Sequence, residues 1–261
     1  MYNRARVFQG MALTKIPKYR APALDKGLDI LELLARTATP LKTTEIAASL
    51  DYSKGEIFRM LQVLEDRDYI SRADADSGYT LTNRLFMLGM ERPRNKGLVE
   101  AALPVMHRLA DEVSLSCHLA VASQDQMVVI ARVDSPSDLG VVVRIGHRRP
   151  IAHSTSGLVL FAFQSPEARE RWLSLLDRLD AGYKKSELLR RADLVVAQGY
   201  ASFPSDAFGG VTDLSAPILE QKHAVGSLAV PFIDRQPPRM ALKSVIEHLR
   251  RAAKDISDKL P

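Results

Sequence analysis

The chain holds one cysteine, Cys117, in 261 residues. That excludes a framework of internal disulfides and any metal site built on several cysteines, and it fits a reducing cytoplasm. There is no run of about 18 apolar residues, so no membrane-spanning helix is expected. The first twenty residues lack the compact apolar stretch of a secretion signal. They also lack acid: Arg4, Arg6, Lys15, Lys18 and Arg20 all precede Asp25, the first carboxylate. The chain therefore opens on a basic arm with two readings, a solvated tail or a limb reaching toward nucleic-acid phosphates. A phosphate loop, a Gly-x-Ser-x-Gly elbow and a nucleophile beside a base are all missing, which leaves catalysis without support. No cofactor is expected.

What is present is an ordinary globular composition, 46% apolar and 26% charged, with a formal net charge of +5. This length accommodates two domains. After the arm, which the prolines Pro17 and Pro22 close, Leu24, Leu28, Leu31, Leu33 and Leu34 recur at helical spacing. Pro40 bounds that helix. A short second helix carries Ile46, Ala47 and Leu50, with Thr43 or Thr44 as its cap. Ser53 followed by Glu56 is a capping box that opens a third helix. Its apolar positions are Ile57, Leu61 and Leu64, with Met60 beside them. Tyr69-Ile70 and Tyr79-Thr80-Leu81, joined by turn residues from Ala73 to Gly78, read as a hairpin. Three helices followed by a hairpin is the layout of a winged helix-turn-helix.

In that motif the third helix enters the major groove with its outer face. At 100° per residue, Gly55, Arg59 and Gln62 point away from Ile57 and Leu61, with Phe58 at the margin. Arg and Gln pair bidentately with guanine and adenine edges, and Gly55 permits close approach. The candidate DNA contacts are Ser53, Lys54, Gly55, Phe58, Arg59, Gln62, Arg72 and Arg84. Arg72 and Arg84, with Arg67, are placed on phosphates, which position the protein without specifying sequence. The competing reading is a plain three-helix packing unit with Arg59 in solvent.

Residues 83–97 read as a linker helix broken at Pro93. Beyond it, Leu98–Val113 is an amphipathic helix. Runs at 118–122, 127–133 and 141–145 read as three antiparallel strands. Helices are expected near 156–164, 166–178 and 186–198, strands near 212–219 and 225–232, and a final helix near 238–259. This alternation predicts an α+β domain with one sheet face covered.

Residues 23–90 resemble the DNA-binding domain of the IclR family of bacterial regulators. The carriers are Ala23-Leu24-Asp25-Lys26-Gly27-Leu28-Asp29-Ile30-Leu31, Thr44-Glu45-Ile46-Ala47, Lys54 with Ile57, Arg59 and Leu61 through Leu64-Glu65, Tyr79-Thr80-Leu81 and Leu88-Gly89. The second half resembles the family's effector domain through His118-Leu119-Ala120-Val121, Arg132-Val133-Asp134-Ser135, Pro150-Ile151, Gly157, Gly199-Tyr200-Ala201 and Ala216-Pro217-Ile218. The resemblance implies a basic arm over 1–22 and a winged helix-turn-helix over 23–82. A linker helix over 83–97 then leads to a GAF-like antiparallel-sheet domain over 98–261 that binds effector and oligomerises. Two departures matter. Asp51 stands at a turn where the family usually has glycine, and Gly55-Glu56 replaces its common Ser-Thr, removing two hydroxyls and bringing a carboxylate near phosphate.

The resemblance also implies a pocket for small organic acids at Ser154-Thr155-Ser156-Gly157, where a helix start offers free amides. An ordinary capped helix is the competing reading. The candidate effector contacts are His153, Ser154, Thr155, Ser156 and Gly157 with the apolar walls Leu119, Val121, Val142 and Ala229, none of them acidic. Two slots that hold serine in glyoxylate-type members are Ala229 and Pro231 here, which favours an aromatic or branched acid. His118, His147 and His153 lack the spacing of a helical zinc site, so no metal is expected. The implied function is a regulator of transcription, a repressor in type. It would bind a double-stranded DNA operator as a homodimer or a dimer of dimers (homotetramer), with affinity modulated by a small organic acid. Two rivals remain: a metabolite-binding or enzymatic protein whose helix-turn-helix mediates only protein contacts, and an architectural DNA binder without effector.

Overall fold

A computed structural model describes residues 21–72, 74, 77–90, 93–137, 140–179, 182–206, 208–233 and 240–260. The expected basic arm lies outside the described residues as far as Arg20, as do Ala73, Ala75 and Asp76 of the hairpin turn and the first two residues expected in the final helix. The chain divides into two compact units, residues 1–92 and 93–261.

The first unit is built on α1 (Pro22–Ala35), α2 (Thr43–Leu50) and α3 (Lys54–Asp66). Pro22 is well placed at the helix start, where its missing N–H is no loss. The cap of α2 is neither threonine: Lys42 is the capping residue, and the Glu45 side chain accepts its amide at 2.7 Å. Asp51 turns the chain between α2 and α3 with φ 57° and ψ 41°, the left-handed conformation that Asp tolerates better than most side chains. Ile30, Leu31, Leu34, Ile46, Ala47, Ile57, Leu61, Ile70 and Tyr79 form one core. Burial of Ile57 or Leu61 contributes about 1.5–3 kcal/mol each. The wing strands are short: β1 (Ile70–Ser71) pairs antiparallel with β2 (Thr80–Leu81). Tyr79 also exchanges two backbone hydrogen bonds with Leu41 at 3.0 and 2.8 Å. This tethers the wing to the segment between α1 and α2. Gly78 sits at the tether, where a Cβ would lie 2.6 Å from the Pro40 carbonyl carbon. Helix α4 (Arg84–Met90) follows.

Within the expected linker α4 runs to Met90, residues 91 and 92 lie outside the described residues, and α5 (Pro93–Val113) starts five residues before the amphipathic helix expected at Leu98. Proline again occupies the first helical position. In the second unit a six-stranded antiparallel sheet runs in the order β5-β4-β3-β8-β7-β6. Its strands are β3 (Cys117–Ser123), β4 (Gln126–Val133), β5 (Arg148–Pro150), β6 (Ala201–Pro204), β7 (Val211–Glu220) and β8 (His223–Ile233). The edge strand expected at Val141–Ile145 is not one; Arg148–Pro150 pairs with Gln126–Val128 instead. Alternation explains the difference. Val141 and Val143 wall a cavity while Val142 points to solvent, so the apolar run serves as a lining rather than a ladder.

The sheet is covered on both faces, not one. Along β3, Leu119 packs beside Leu98 of α5 and Ile218, all three within 3.5 Å of the space above Gly226. Its neighbour Ala120 packs on Leu160 of α6 (Thr155–Ala162). Successive strand residues face opposite sides, so α5 with α9 (Leu242–Ser257) covers one face and α6 the other. Helices α7 (Pro166–Leu179) and α8 (Lys185–Gln198) lie over α6, joined through Leu173, Leu176, Leu188, Ala192 and Val195. All eight residues of α6 are buried. Cys117 is buried on the α5 face, its thiol donating to the Met106 carbonyl oxygen at 3.4 Å; burial pushes the thiol up to about 12.

Gly78→Ala is expected to destabilise the first unit by about 1–3 kcal/mol through overpacking against backbone. Denaturant unfolding followed by far-UV dichroism measures it. An unchanged midpoint would contradict the tether.

Candidate functional site

Two places in the molecule have site-like chemistry. The first is the outer face of α3. Ser53 caps the helix, its hydroxyl accepting the Glu56 amide at 3.3 Å while Glu56 accepts the Ser53 amide at 2.8 Å. The other Glu56 oxygen accepts from Lys26 of α1 at 2.8 Å. Lys26 also lies 5.2 Å from the Tyr52 ring centroid, and the Tyr52 hydroxyl donates to Asp29 at 2.7 Å. Glu56 is thus held by the cap and neutralised by Lys26, which limits the repulsion of phosphate expected from it. Lys54, Gly55, Phe58, Arg59 and Gln62 are exposed together. Phe58 is more than marginal: 52% of it is accessible, as is 52% of Val63, which sequence reasoning passed over. Among the described residues Arg59 has no hydrogen-bond or ion-pair partner. Arg72 does not point free. Its Nε donates to Glu65 at 3.0 Å and its guanidinium lies 5.1 Å from the Tyr79 ring centroid, because the hairpin folds it back on α3. Arg84 starts α4 and is half-buried.

The second place is a small cavity of about 70 Å³ between the sheet and the start of α6. That is room for several water-sized groups. Ser154, Thr155, Ser156 and Ala229 line it, as expected from the sequence. Leu119, Val121, Val142, His153 and Gly157 do not. Leu119 and Val121 alternate onto the opposite face, since a one-residue shift in a strand exchanges sides, and Val142 is 42% exposed. His153 lines a separate groove with Tyr183 and Lys184. Gly157 packs on the short 3-10 turn Ile151–His153, where a Cβ would meet the Ile151 carbonyl oxygen at 2.5 Å.

The helix start is divided in its chemistry. The Ser154 hydroxyl accepts the Gly157 amide at 3.1 Å, so it is spent as a cap. The hydroxyls of Thr155 and Ser156 are buried, face the cavity and have no hydrogen-bond partner among the described residues. An unpartnered buried hydroxyl is costly, about 1–3 kcal/mol, and is found where a ligand or water completes it. His118, His147, Arg149, Ser205 and Asp213 also line the cavity. These residues make it more charged than the apolar walls picked from the sequence, and they include the carboxylate absent from that set. Burial, then the charge His147 carries when it is protonated, pushes His118 down to about 4. Burial, with Arg149 and Arg144, lowers His147 as well. Both imidazoles are therefore neutral at pH 7, and Arg149 is the fixed cation of the lining. Burial raises Asp213, against the Ser205 hydrogen bond and the charge of Arg149. A signal for Asp213 existed: Asp213 and Ser215 alternate with Leu214, Ala216 and Ile218 along β7. Among the described residues no group of three or more His, Cys, Asp or Glu is placed to hold a metal ion.

These two sites fit one family. Residues 23–74 match the family described as "IclR helix-turn-helix domain", and residues 93–258 match "Bacterial transcriptional regulator IclR C-terminal". The chain belongs to the IclR family. Over 263 aligned residues it is 26% identical to the HTH-type transcriptional regulator KdgR of Dickeya chrysanthemi, covering 98% of this chain and 86% of that one. It is 24% identical to the HTH-type transcriptional repressor AllR of Salmonella typhimurium, over 92% of this chain and 90% of the other. In fold it is similar to an IclR homolog of Microbacterium hydrocarbonoxydans whose structure was solved with 4-hydroxybenzoate. The TM-score there is 0.74 at 23% identity, with 91% of this chain and 98% of that chain covered. The Thermotoga maritima IclR gives 0.68 at 20% identity, over 91% and 98% of the two chains.

Membership settles the broad class. This is an IclR-type transcriptional regulator that binds DNA through a helix-turn-helix, and its relatives are named as regulators, not enzymes. No helix among the described residues is long and apolar enough to cross a membrane. Of the departures noted from the IclR pattern, Asp51 adopts the left-handed turn without glycine, and Ala229 and Pro231 both line the cavity.

The cap network has a pH signature. The Lys26 hydrogen bond first, then those of Ser53, hold Glu56 down at about 2 from an ordinary 4.5. A depressed carboxylate stabilises the fold fully above its unfolded value and loses that contribution as pH falls from about 4.5 toward about 2. Urea unfolding at pH 6 and pH 3 is expected to show a smaller acid loss in Glu56→Gln than in the parent. Equal losses would show that the network carries no linkage.

Proposed function

We propose that this regulator binds a palindromic or direct-repeat operator in the cytoplasm, as a homodimer or dimer of dimers, and that a small organic acid in the α6 cavity changes its operator affinity. In this proposal residues 23–82 read DNA, 83–97 connect, and 98–261 bind the effector and assemble. The observation that carries the ligand is the pair of buried, unpartnered hydroxyls on Thr155 and Ser156 beside Arg149. The start of a helix, where amides precede the hydrogen-bonded ladder, favours an anion. Asp213 and Ser205 in the same lining favour an acid that also carries a hydrogen-bond donor, such as a hydroxy acid. The 4-hydroxybenzoate bound by the Microbacterium hydrocarbonoxydans homolog is of that type. Self-association is supported by Leu24 and Leu28 of α1 and by Leu85, Phe86 and Met87 of α4. All five are large apolar side chains more than 40% exposed within the first unit. One winged helix reads few base pairs, so two half-sites at fixed spacing are needed for affinity.

The test combines ligand and DNA. At a hundred-fold excess over its dissociation constant an effector adds about 2.7 kcal/mol, raising the melting point by about 5–10 °C. Hydroxy acids are expected to stabilise more than their amides, and Ser156→Asp and Arg149→Gln to lose the shift while remaining folded. The stabilising acid should change affinity for an operator selected from random duplexes by about 5–150-fold. If amides match acids, or both variants keep the shift, the pocket is misassigned.

On the same operator Arg59→Ala is expected to lose about 1–3 kcal/mol, with far less loss on random DNA. Arg72→Ala should weaken both alike and reduce the salt dependence. Equal losses on both duplexes for Arg59→Ala would remove it from base reading.

A further inference from the structure

We propose that Phe58 reads a thymine methyl group and that, with Gln62, it recognises an adenine·thymine pair through both of its bases. The assignment rests on α3 entering the major groove. Phe58 is left out of the core that holds the first unit together, and 52% of it is accessible. An exposed aromatic ring on a helix invites an apolar contact from outside. Its surroundings say what kind. Lys54 lies one turn before it, Arg59 is the next residue and Gln62 lies one turn after it, all exposed. Gly55, three residues before the ring, has nothing within 4 Å of where a Cβ would stand. Glu56 in the same turn is paired with Lys26, so Lys54 and Arg59 leave the ring in a net cationic and open surface, which attracts a polyanion and disfavours a second copy of the same basic face.

Within a major groove the apolar feature of a base edge is the C5-methyl of thymine. Gln62 supplies the complementary half. Its amide donates to adenine N7 and accepts from adenine N6, and the methyl of the paired thymine projects into the same groove. Side chains four residues apart on a helix are neighbours, about 5–6 Å between Cβ atoms. One turn of α3 therefore carries a hydrogen-bonding reader for the purine and an apolar reader for the pyrimidine of one pair. Arg59, between them in sequence but farther around the helix, is free for another base.

The experiment uses the full chain and a duplex it enriches from random-sequence DNA. Each thymine is replaced in turn by deoxyuridine, which keeps the pairing and removes only the methyl. One thymine in each half-site is expected to show about fourfold weaker binding on replacement, the effect of one methyl-sized group. Phe58→Ala should lose that sensitivity at the same position, Phe58→Leu should keep it, and Gln62→Ala should lose preference at the same base pair. The thermal midpoint of Phe58→Ala should match the parent, since the ring is exposed. If replacing thymine changes nothing, or changes the parent and Phe58→Ala equally, Phe58 does not read a methyl. A shift in the sedimentation of free Phe58→Ala would also overturn the assignment by placing the ring between copies. If no duplex is enriched at all, α3 does not read bases, and the DNA assignment and this one fall together.

Discussion

A helix buried along its whole length creates a problem at its ends, because the backbone groups there have no partners within the helix. In α6, Thr155 to Ala162, the problem is met unequally. Ser154 takes one amide with its own hydroxyl, and the Ile151–His153 turn closes tightly over Gly157. What is left is a short polar surface facing inward, the hydroxyls of Thr155 and Ser156, which no side chain among the described residues completes. The cavity is the space that arrangement requires. Its position follows from the layering, since the start of α6 must fall between the sheet and the loops that follow β4 and β6. The neutral imidazoles, Arg149 and Asp213 then set its charge.

The DNA-binding unit faces a similar demand and meets it at the surface. The start of α3 must be exposed to approach a groove, so burial cannot hold it. Ser53, Glu56, Lys26, Tyr52 and Asp29 hold it instead, through a chain of hydrogen bonds running from α3 to α1. Exposed ion pairs of this kind contribute little net stability. Their value is in fixing the direction of α3 relative to the core, so that Arg59 and Gln62 leave the helix at set angles. The carboxylate at Glu56, which in sequence looks like a liability beside phosphate, is the joint of this network.

The helical parts of the fold were readable because their apolar residues repeat on one side. Ile57 and Leu61 are buried where their spacing puts them, and Gly55, Arg59 and Gln62 are exposed. The second unit was harder for a physical reason. On β3 the run Cys117-His118-Leu119-Ala120 is buried on both sides, so no alternation remains to tell the ligand face from the helix face. Leu119 was therefore placed with the cavity, and His118 was not. Val141–Ile145 has strand-like composition without a ladder, and β6, Ala201–Pro204, is only four residues long and ends in proline, too little to announce itself. At the site, the helix start was legible because Ser-Thr-Ser-Gly before an apolar run is a local signal. Arg149 and Asp213 come from strands that only the tertiary fold brings beside it.

The solitary cysteine has a use of its own. Cys117 lies under α5 at the first residue of β3, with its thiol buried, bonded to the Met106 carbonyl and far from ionisation. A thiol reagent therefore reaches it only when α5 lifts from the sheet. With one such group in the chain, the labelling rate is an unmixed clock for breathing of the second unit. It needs no engineered probe, and it can be read while the other unit is occupied with DNA.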